Sequence, residues 1–350
     1  MESEVKDKGR LQPKKILVID LAFIGDVILA TPVTRALKEA YPEAMLTMLT
    51  VPLTAEVAAM NPYVDDVLVY DKRGRHKGLF GMLAVGRELK KHSFDLAICM
   101  NFAVRGAVVA WLAGIPLRIG YDAQHASLFL TNTSPAQRSA LQHETLNHLE
   151  VLRPLGITTA DTSLRLEPAA AAQASLQRKL ERYSLPSAGY IVLCPFGSYA
   201  RKNLSLAAAA HIVRHLSQRQ PVYLIGGTKE AAGLEKIARL AELPLTNVLA
   251  GTLTLSELTA LLQHAACMVT VDTGPLHIAE AVGCPLAAVF GPTDPRVWGP
   301  RGRHSMLLYH KKDCSPCWGK GVCEQNECIQ GITANEILQA VRLLLGEKDG

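Results

Sequence analysis

Two doubly wound parallel α/β domains facing one another across a cleft are the fold that this 350-residue chain predicts. Short apolar runs rich in Val, Ile and Leu alternate with longer stretches of helical pattern. Continuous runs joined by helical crossovers belong to parallel sheets covered on both faces. The alternation breaks once, at Pro168–Ser187, an Ala-rich stretch running into LPSAG (185–189) that reads as one helix plus a connection. With 49% hydrophobic residues, a chain of this length buries two cores more naturally than one. The expected domains are residues 1–170 and 171–350.

In the first domain the predicted strands are KILVID (15–20), MLTMLTV (45–51), DVLVYD (66–71), DLAICM (95–100) and LRIGY (117–121). The first of them runs straight into LAFIGDVILATPV, where a loop holding one glycine and one carboxylate opens a helix. Asp26 therefore has two readings. An acid at a helix start accepts backbone N–H bonds and meets the positive end of the dipole. It also stands at the carboxyl end of a strand, where ligands of this architecture bind.

In the second domain the predicted strands are YIVLCPF (190–196), PVYLIGG (221–227), NVLAG (247–251), CMVTVD (267–272) and PLAAVFG (285–291). The strand ending at Asp272 is followed by a tight turn, Thr273-Gly274, and then by Pro275, which suits a first helical position. Free amides at such a helix start, with the dipole behind them and a glycine permitting close approach, make a pyrophosphate site. His277 in the first turn adds a donor. The alternative is an ordinary strand-to-helix turn with a capping Asp. A second polar turn, FGPTDP, follows the next strand and lies beside the first. No Walker lysine signature and no G-x-G-x-x-G fingerprint is present.

Net charge is +5 and the isoelectric point about 8.7, an excess of base spread along the chain. That balance fits anionic small molecules or lipid headgroups, not a nucleic-acid surface with its clustered base. The charged start MESEVKDKGR has no apolar h-region, and the most apolar long stretch, FAVRGAVVAWLAGIPL, contains Arg105. The expected location is the cytoplasm.

Taken together, KKILVIDLAFIGDVILATPVTRALKEAYPEA, PLRIGYD, ETLNHLEVLRPLGI, CPFGSYARKNLSL, LIGGTKEAAGLEKIA and VDTGPLHIAEAVGCPLAAVFGPTDP resemble glycosyltransferase family 9 over nearly the whole chain. These are the ADP-heptose:lipopolysaccharide heptosyltransferases. The resemblance implies GT-B architecture, two Rossmann-like domains with the acceptor on the N-terminal one and the nucleotide-sugar on the C-terminal one. It implies transfer with inversion from ADP-heptose to the lipopolysaccharide inner core carried on lipid A, with no cofactor or metal required for catalysis. The work would be done at the cytoplasmic face of the inner membrane, with peripheral contact to that surface. A relative transferring another nucleotide-activated sugar, or a non-catalytic nucleotide-sugar-binding protein, is the alternative.

Position by position, the resemblance implies roles. Asp26 matches the family's proposed base, which takes the proton of the attacking hydroxyl. Lys202 matches the lysine that contacts donor phosphate and offsets charge on departing ADP. Where relatives often have Trp-Pro, this chain has Leu204-Ser205, so Arg201 is a second candidate for that role. Glu230 matches the acid that accepts from the ribose hydroxyls, its alternative being a helix-start charge. Leu253 falls where the family places an apolar residue against adenine, its alternative being a core residue. Ser198 and the amides around Gly197 add phosphate donors beside Asp272, Thr273, Gly274 and His277.

For the acceptor, DKRGRHKG (71–78) gathers Lys72, Arg73, Arg75, His76 and Lys77, with Arg105 and Arg118 at other strand ends. Kdo carboxylates and phosphates call for such a surface; a solvated basic loop is the other reading. Four of the eight cysteines lie in CSPCWGKGVCEQNEC, at Cys314, Cys317, Cys323 and Cys328. Such thiols can wrap one tetrahedral zinc or iron ion as a structural site, or stay free, or form a redox pair. No catalytic part is expected of this loop. Cys99, Cys194, Cys267 and Cys284 read as core residues.

Overall fold

The computed structural model describes residues 12–135, 142–320, 323 and 325–346. They form two parallel sheets. The first contains β1 (Lys15–Ile19), β2 (Met45–Thr50), β3 (Asp66–Val69), β4 (Leu96–Cys99), β5 (Leu117–Tyr121) and β6 (Asn132–Ser134), in the order β3-β2-β1-β4-β5-β6. The second contains β7 (Ile191–Cys194), β8 (Val222–Leu224), β9 (Cys267–Val271), β10 (Leu286–Phe290) and β11 (Ser305–Tyr309), in the order β11-β10-β9-β7-β8. β1 is paired on both sides, Ile16 with Leu46 and Leu96, and its residues Ile16 to Ile19 are buried. A strand enclosed on both faces has no solvent face to signal, which is why it reads as a continuous apolar run.

Strand order reverses between β1 and β4 in one domain and between β7 and β9 in the other. Open α/β sheets bind ligands in the crevice at such switch points, beyond the carboxyl ends of the strands. The loops placed there follow β1, with Phe23–Asp26, β7, with Ser198–Lys202, and β9, with Asp272–Gly274.

Three edges differ from expectation. NVLAG makes only one bridge, Val248 with Leu224, because a 3-10 turn over Leu245–Asn247 leads into it and Gly251, at φ +63°, leads out. β6 has three residues, two of them exposed, so no apolar run announced it. β11 is a half-buried edge strand that the sequence reading passed over.

The domains share a core as well as a cleft. Val27, Ile28, Met48, Val57 and Met60 of the first pack in one cluster with Leu258, Leu261, Leu276 and Ile278 of the second. The connecting segment is bonded to both sides. Glu167 N donates to Met60 O (2.8 Å), Leu166 N to Ala281 O (3.4 Å), and Arg35 pairs with Asp161 (2.8 Å). The helix Ala170–Arg182 then buries Leu176 and Leu180 in the shared cluster.

Across the interface, the Glu56 carboxylate accepts from Leu255 N (3.1 Å) and Ser256 N (2.8 Å), at the start of the helix Leu255–His264. An acid from one domain thereby caps a helix of the other and meets its positive dipole end. Replacing Glu56 by Ala should lower unfolding free energy by about 1–2 kcal/mol, read as a shifted urea midpoint at unchanged m-value. An unmoved midpoint would show that solvent replaces this cap at no cost.

Candidate active site

Two helix starts meet where the domains face each other. The helix Ile24–Leu29 follows β1, and the helix Gly274–Ala281 follows β9. A Cβ on Gly25 would stand 3.1 Å from His277 Cδ2, and one on Gly274 would stand 3.2 Å from Ile24 Cγ2. Glycine on each side is what lets the two backbones approach. Around this contact a cleft of about 500 Å³ is lined by Asp26, Ser198, Lys202, Asp272, Thr273, Gly274 and His277, all singled out from the sequence.

On the first-domain side, both readings of Asp26 coexist. Its Oδ2 accepts from Phe23 N (3.3 Å), closing a turn at the helix start, while the residue is half-exposed to the cleft. Behind it lies the helix Glu144–Leu149, which carries Glu144 and His148 on adjacent turns with Nε2 and Oε1 3.5 Å apart. One donor atom each from Asp26, Glu144 and His148 lie within 4.8 Å of one another, the one such group of three among the described residues. Two carboxylates and an imidazole are a donor set that suits a divalent cation. The helix is oriented by His143, whose ring accepts from Thr145 N (3.3 Å) and bonds Gly299 O of the other domain (2.9 Å).

Asp20, at the end of β1, is fully buried. Its Oδ1 accepts from Asn101 Nδ2 (3.0 Å) and Ala22 N (3.1 Å), and Leu21 N donates to Asn101 Oδ1 (2.7 Å), which joins the switch-point loops after β1 and β4. Burial first, and then the Asp26 charge, push its carboxyl up to about 6.

On the second-domain side, Lys202 Nζ donates to Asp272 Oδ2 (2.6 Å), which also accepts from Thr293 Oγ1 (2.7 Å). All three residues are buried, and the ammonium lies 5.0 Å from the Tyr199 ring centroid. Asp272 thus aims the lysine, and Thr293 aims Asp272. No side chain caps the helix Gly274–Ala281. His277 is buried, and that burial drives its imidazole down to about 4, so near neutrality it offers a hydrogen bond without a charge.

Glu230 and Leu253 do not line this cleft. The Glu230 carboxylate accepts from Gly227 N (2.6 Å) in its own turn, and Leu253 packs partly buried against the shared core. Their loops touch, since Gly251 N donates to Gly226 O (2.8 Å). Arg105 is exposed and keeps its charge while donating to the neutral Tyr70 Oη (3.0 Å), whereas Arg118, turned onto the carbonyls of Phe129 and Ile115, does not present the strand-end charge expected for an acceptor. Lys72 and Arg73 do. With Phe23 and Leu53 they line a second cavity of about 280 Å³, and those two apolar residues also line the main cleft.

Sequence reasoning missed the aromatic walls Tyr199, Trp298 and Trp318. Trp318 comes from the cysteine loop, which straps the lysine segment from outside. Trp318 N donates to Pro292 O (2.7 Å), Arg201 Nη1 to Lys320 O (3.2 Å) and Asn326 Nδ2 to Arg201 O (2.9 Å). The loop therefore reaches the cleft through Trp318. Burial and the neighbouring thiols Cys317, Cys323 and Cys314 raise the Cys328 thiol, yet no three of the four sulfurs all lie within 4.8 Å of one another.

Comparison with known proteins adds to this geometry. A family profile described as glycosyltransferase family 9 (heptosyltransferase) matches residues 82–327. Lipopolysaccharide heptosyltransferase 3 of Escherichia coli is 26% identical over 93% of this chain and 97% of its own. The crystal structure of a glycosyl transferase family 9 protein from Veillonella parvula superposes with a TM-score of 0.86 at 25% identity, covering 97% of this chain and 99% of that one. E. coli heptosyltransferase WaaC, solved with ADP, superposes at 0.73 with 22% identity, covering 94% and 99%.

The buried Asp20 generates a pH-dependent expectation. Burial lifts its folded-state pKa above that of a free aspartate, so its contribution to stability is full below the free value and is lost as pH rises through about 6. Asp20→Asn keeps the oxygen that Asn101 and Ala22 bond and never ionises. Its stability relative to wild type should rise between pH 4 and 7 by about 1–3 kcal/mol, measured by denaturant titration at each pH. A difference that does not change with pH would show that Asp20 ionises freely.

Proposed function

The chain belongs to glycosyltransferase family 9, and we propose that it moves heptose, with inversion, from ADP-heptose to the inner core of lipopolysaccharide, with Asp26 as general base. One observation carries this reading. A half-exposed carboxylate of the first domain faces, across one cleft, a buried lysine and an uncapped helix start of the second. Proton acceptance is needed on one side of an inverting transfer and diphosphate stabilisation on the other.

In this mechanism the acceptor hydroxyl gives its proton to Asp26 as its oxygen attacks the anomeric carbon from the face opposite the diphosphate. Charge growing on the departing ADP is met by the Lys202 ammonium, by amides at the start of Gly274–Ala281 and by Ser198. Lys202 is already held by Asp272, so the diphosphate finds it oriented and does not bear that ordering cost. His277, uncharged, adds a hydrogen bond that costs no desolvated ion. We propose Glu230 and Leu253, on touching loops beside the cleft, as the ribose and adenine contacts. Lys72 and Arg73 are proposed to pair with acidic groups of the acceptor in the smaller cavity. The cytoplasmic setting belongs to this proposal through the resemblance to the family. Among the described residues no helix is long and apolar enough to cross a membrane.

A cation bound among Asp26, Glu144 and His148 would lower the basicity of the carboxylate that has to take the proton, so added magnesium or manganese should not raise turnover. For the cysteine loop we propose a structural zinc or iron ion, which requires the thiols to swing inward. Its test is metal analysis of protein made in metal-replete cells, with about one equivalent expected. A second reading, transfer of a different nucleotide-activated sugar, has support in the same residues, since those in the cleft address the diphosphate and not the sugar. Calorimetry against ADP- and UDP-sugars separates the two.

Asp26→Asn should lower kcat by about 10²–10⁴ while ADP-heptose binds nearly as in wild type. Retained turnover with only a lower melting temperature would leave Asp26 as a cap and end the mechanism. For Lys202, simple truncation leaves Asp272 buried and unpaired, which threatens folding. The double variant Lys202→Met, Asp272→Asn removes both charges and should weaken ADP binding about tenfold or more. Equal ADP affinity in calorimetry would remove Lys202 from the donor site.

A further inference from the structure

The turn over residues 71–77 and the first turn of the helix Gly78–Lys90 form a tip beside the smaller cavity, and the transfer chemistry makes no use of most of it. The tip is stiff. Asp71 accepts from Gly74 N (2.8 Å) and Arg75 N (3.0 Å), bonds that hold its carboxyl below the usual range. Asp71 N donates to His76 Nδ1 (3.2 Å), Gly81 packs with no room for a Cβ against the His76 backbone, and Lys72 Nζ donates to Leu21 O (2.6 Å).

What the turn turns outward is of one kind. Its single acid is spent on its own amides, while Arg73, Arg75 and Lys77 are exposed. Directly after them come Leu79, 63% exposed, and Phe80, 86% exposed, the highest value for a large apolar side chain among the described residues. Scattered exposed apolar residues need no explanation, but Leu79 and Phe80 are adjacent in the first turn of a helix, and three exposed cations lead directly into it. Apolar side chains beside unneutralised base are the chemistry that an anionic bilayer surface takes up.

We infer that this tip docks on an anionic lipid bilayer, with Leu79 and Phe80 entering the boundary between headgroups and acyl chains and Arg75 and Lys77 against headgroup phosphates. Arg73, in the same turn, lines the smaller cavity, so docking turns that cavity's mouth toward the membrane, where a lipid-anchored acceptor would be presented. Only this last consequence rests on the proposed transfer.

The test is flotation of the full chain with vesicles of phosphatidylcholine alone and of phosphatidylcholine mixed with phosphatidylglycerol. Capture by the anionic vesicles only, weakening as salt is added, is the expected result. Arg75→Glu with Lys77→Glu should lower partitioning by at least about fivefold per residue, and Leu79→Ser with Phe80→Ser by about tenfold or more. None of these four residues lines either cavity, so ADP affinity should stay at the wild-type value and certify the fold. Absence of capture, equal capture by neutral vesicles, or capture indifferent to both double variants would each overturn the inference. Self-association lost with Leu79 and Phe80, without vesicle binding, would overturn it in favour of a second copy of the chain. Vesicle capture by a protein that transfers no sugar would sink the proposed function and leave the docking intact.

Discussion

The approach of two helix starts, one from each domain, is the constraint on which the rest of this structure depends. Gly25 and Gly274 stand opposite His277 and Ile24 so closely that a further carbon on either would have to push its neighbour aside by a few tenths of an ångström. Behind that contact the shared core of Val27, Ile28, Leu276 and Ile278 carries the apolar burial that holds the domains in register. Asp26 and Lys202 are both brought to the walls of the cleft around this contact.

Charge inside the cleft is kept in compensated form. Lys202 is paired to Asp272, and His277 is held uncharged by burial. Such an arrangement limits the penalty of burying ions before a ligand arrives. It also concentrates the change on binding at one place, because an incoming diphosphate must share the lysine with Asp272. Thr293, bonded to the same Asp272 oxygen, keeps that carboxylate from following the lysine.

The periphery of the cleft comes from segments far apart in the chain. Trp318 is carried in by the cysteine loop, whose backbone bonds to Pro292 and Arg201 tie it to the walls on either side of the lysine. Phe23 and Leu53 continue the apolar wall of the main cleft into the smaller cavity. Lys72 stands at that cavity and bonds the carbonyl of Leu21, so the basic turn after β3 is anchored to the loop that carries Asp26.

The sequence by itself determined the parallel sheets and the places where ligands meet them. Buried parallel strands need unbroken apolar runs, and their loops need residues with local duties, such as Asp26 at a helix start and Thr273-Gly274-Pro275 at another. Those duties are legible because they act over a few residues. Partnerships across the chain were decided only by the tertiary structure. It set Glu144 and His148 behind Asp26, gave the Lys202 ammonium to Asp272, turned Arg118 inward, and left Glu230 and Leu253 beside the cleft. It also reduced NVLAG to a single bridge and made β6 from three polar residues, since an edge pairing depends on what its neighbour offers and not on its own pattern. A side chain's neighbours at a distance of a hundred residues are fixed by packing, and packing leaves no period in the sequence to read.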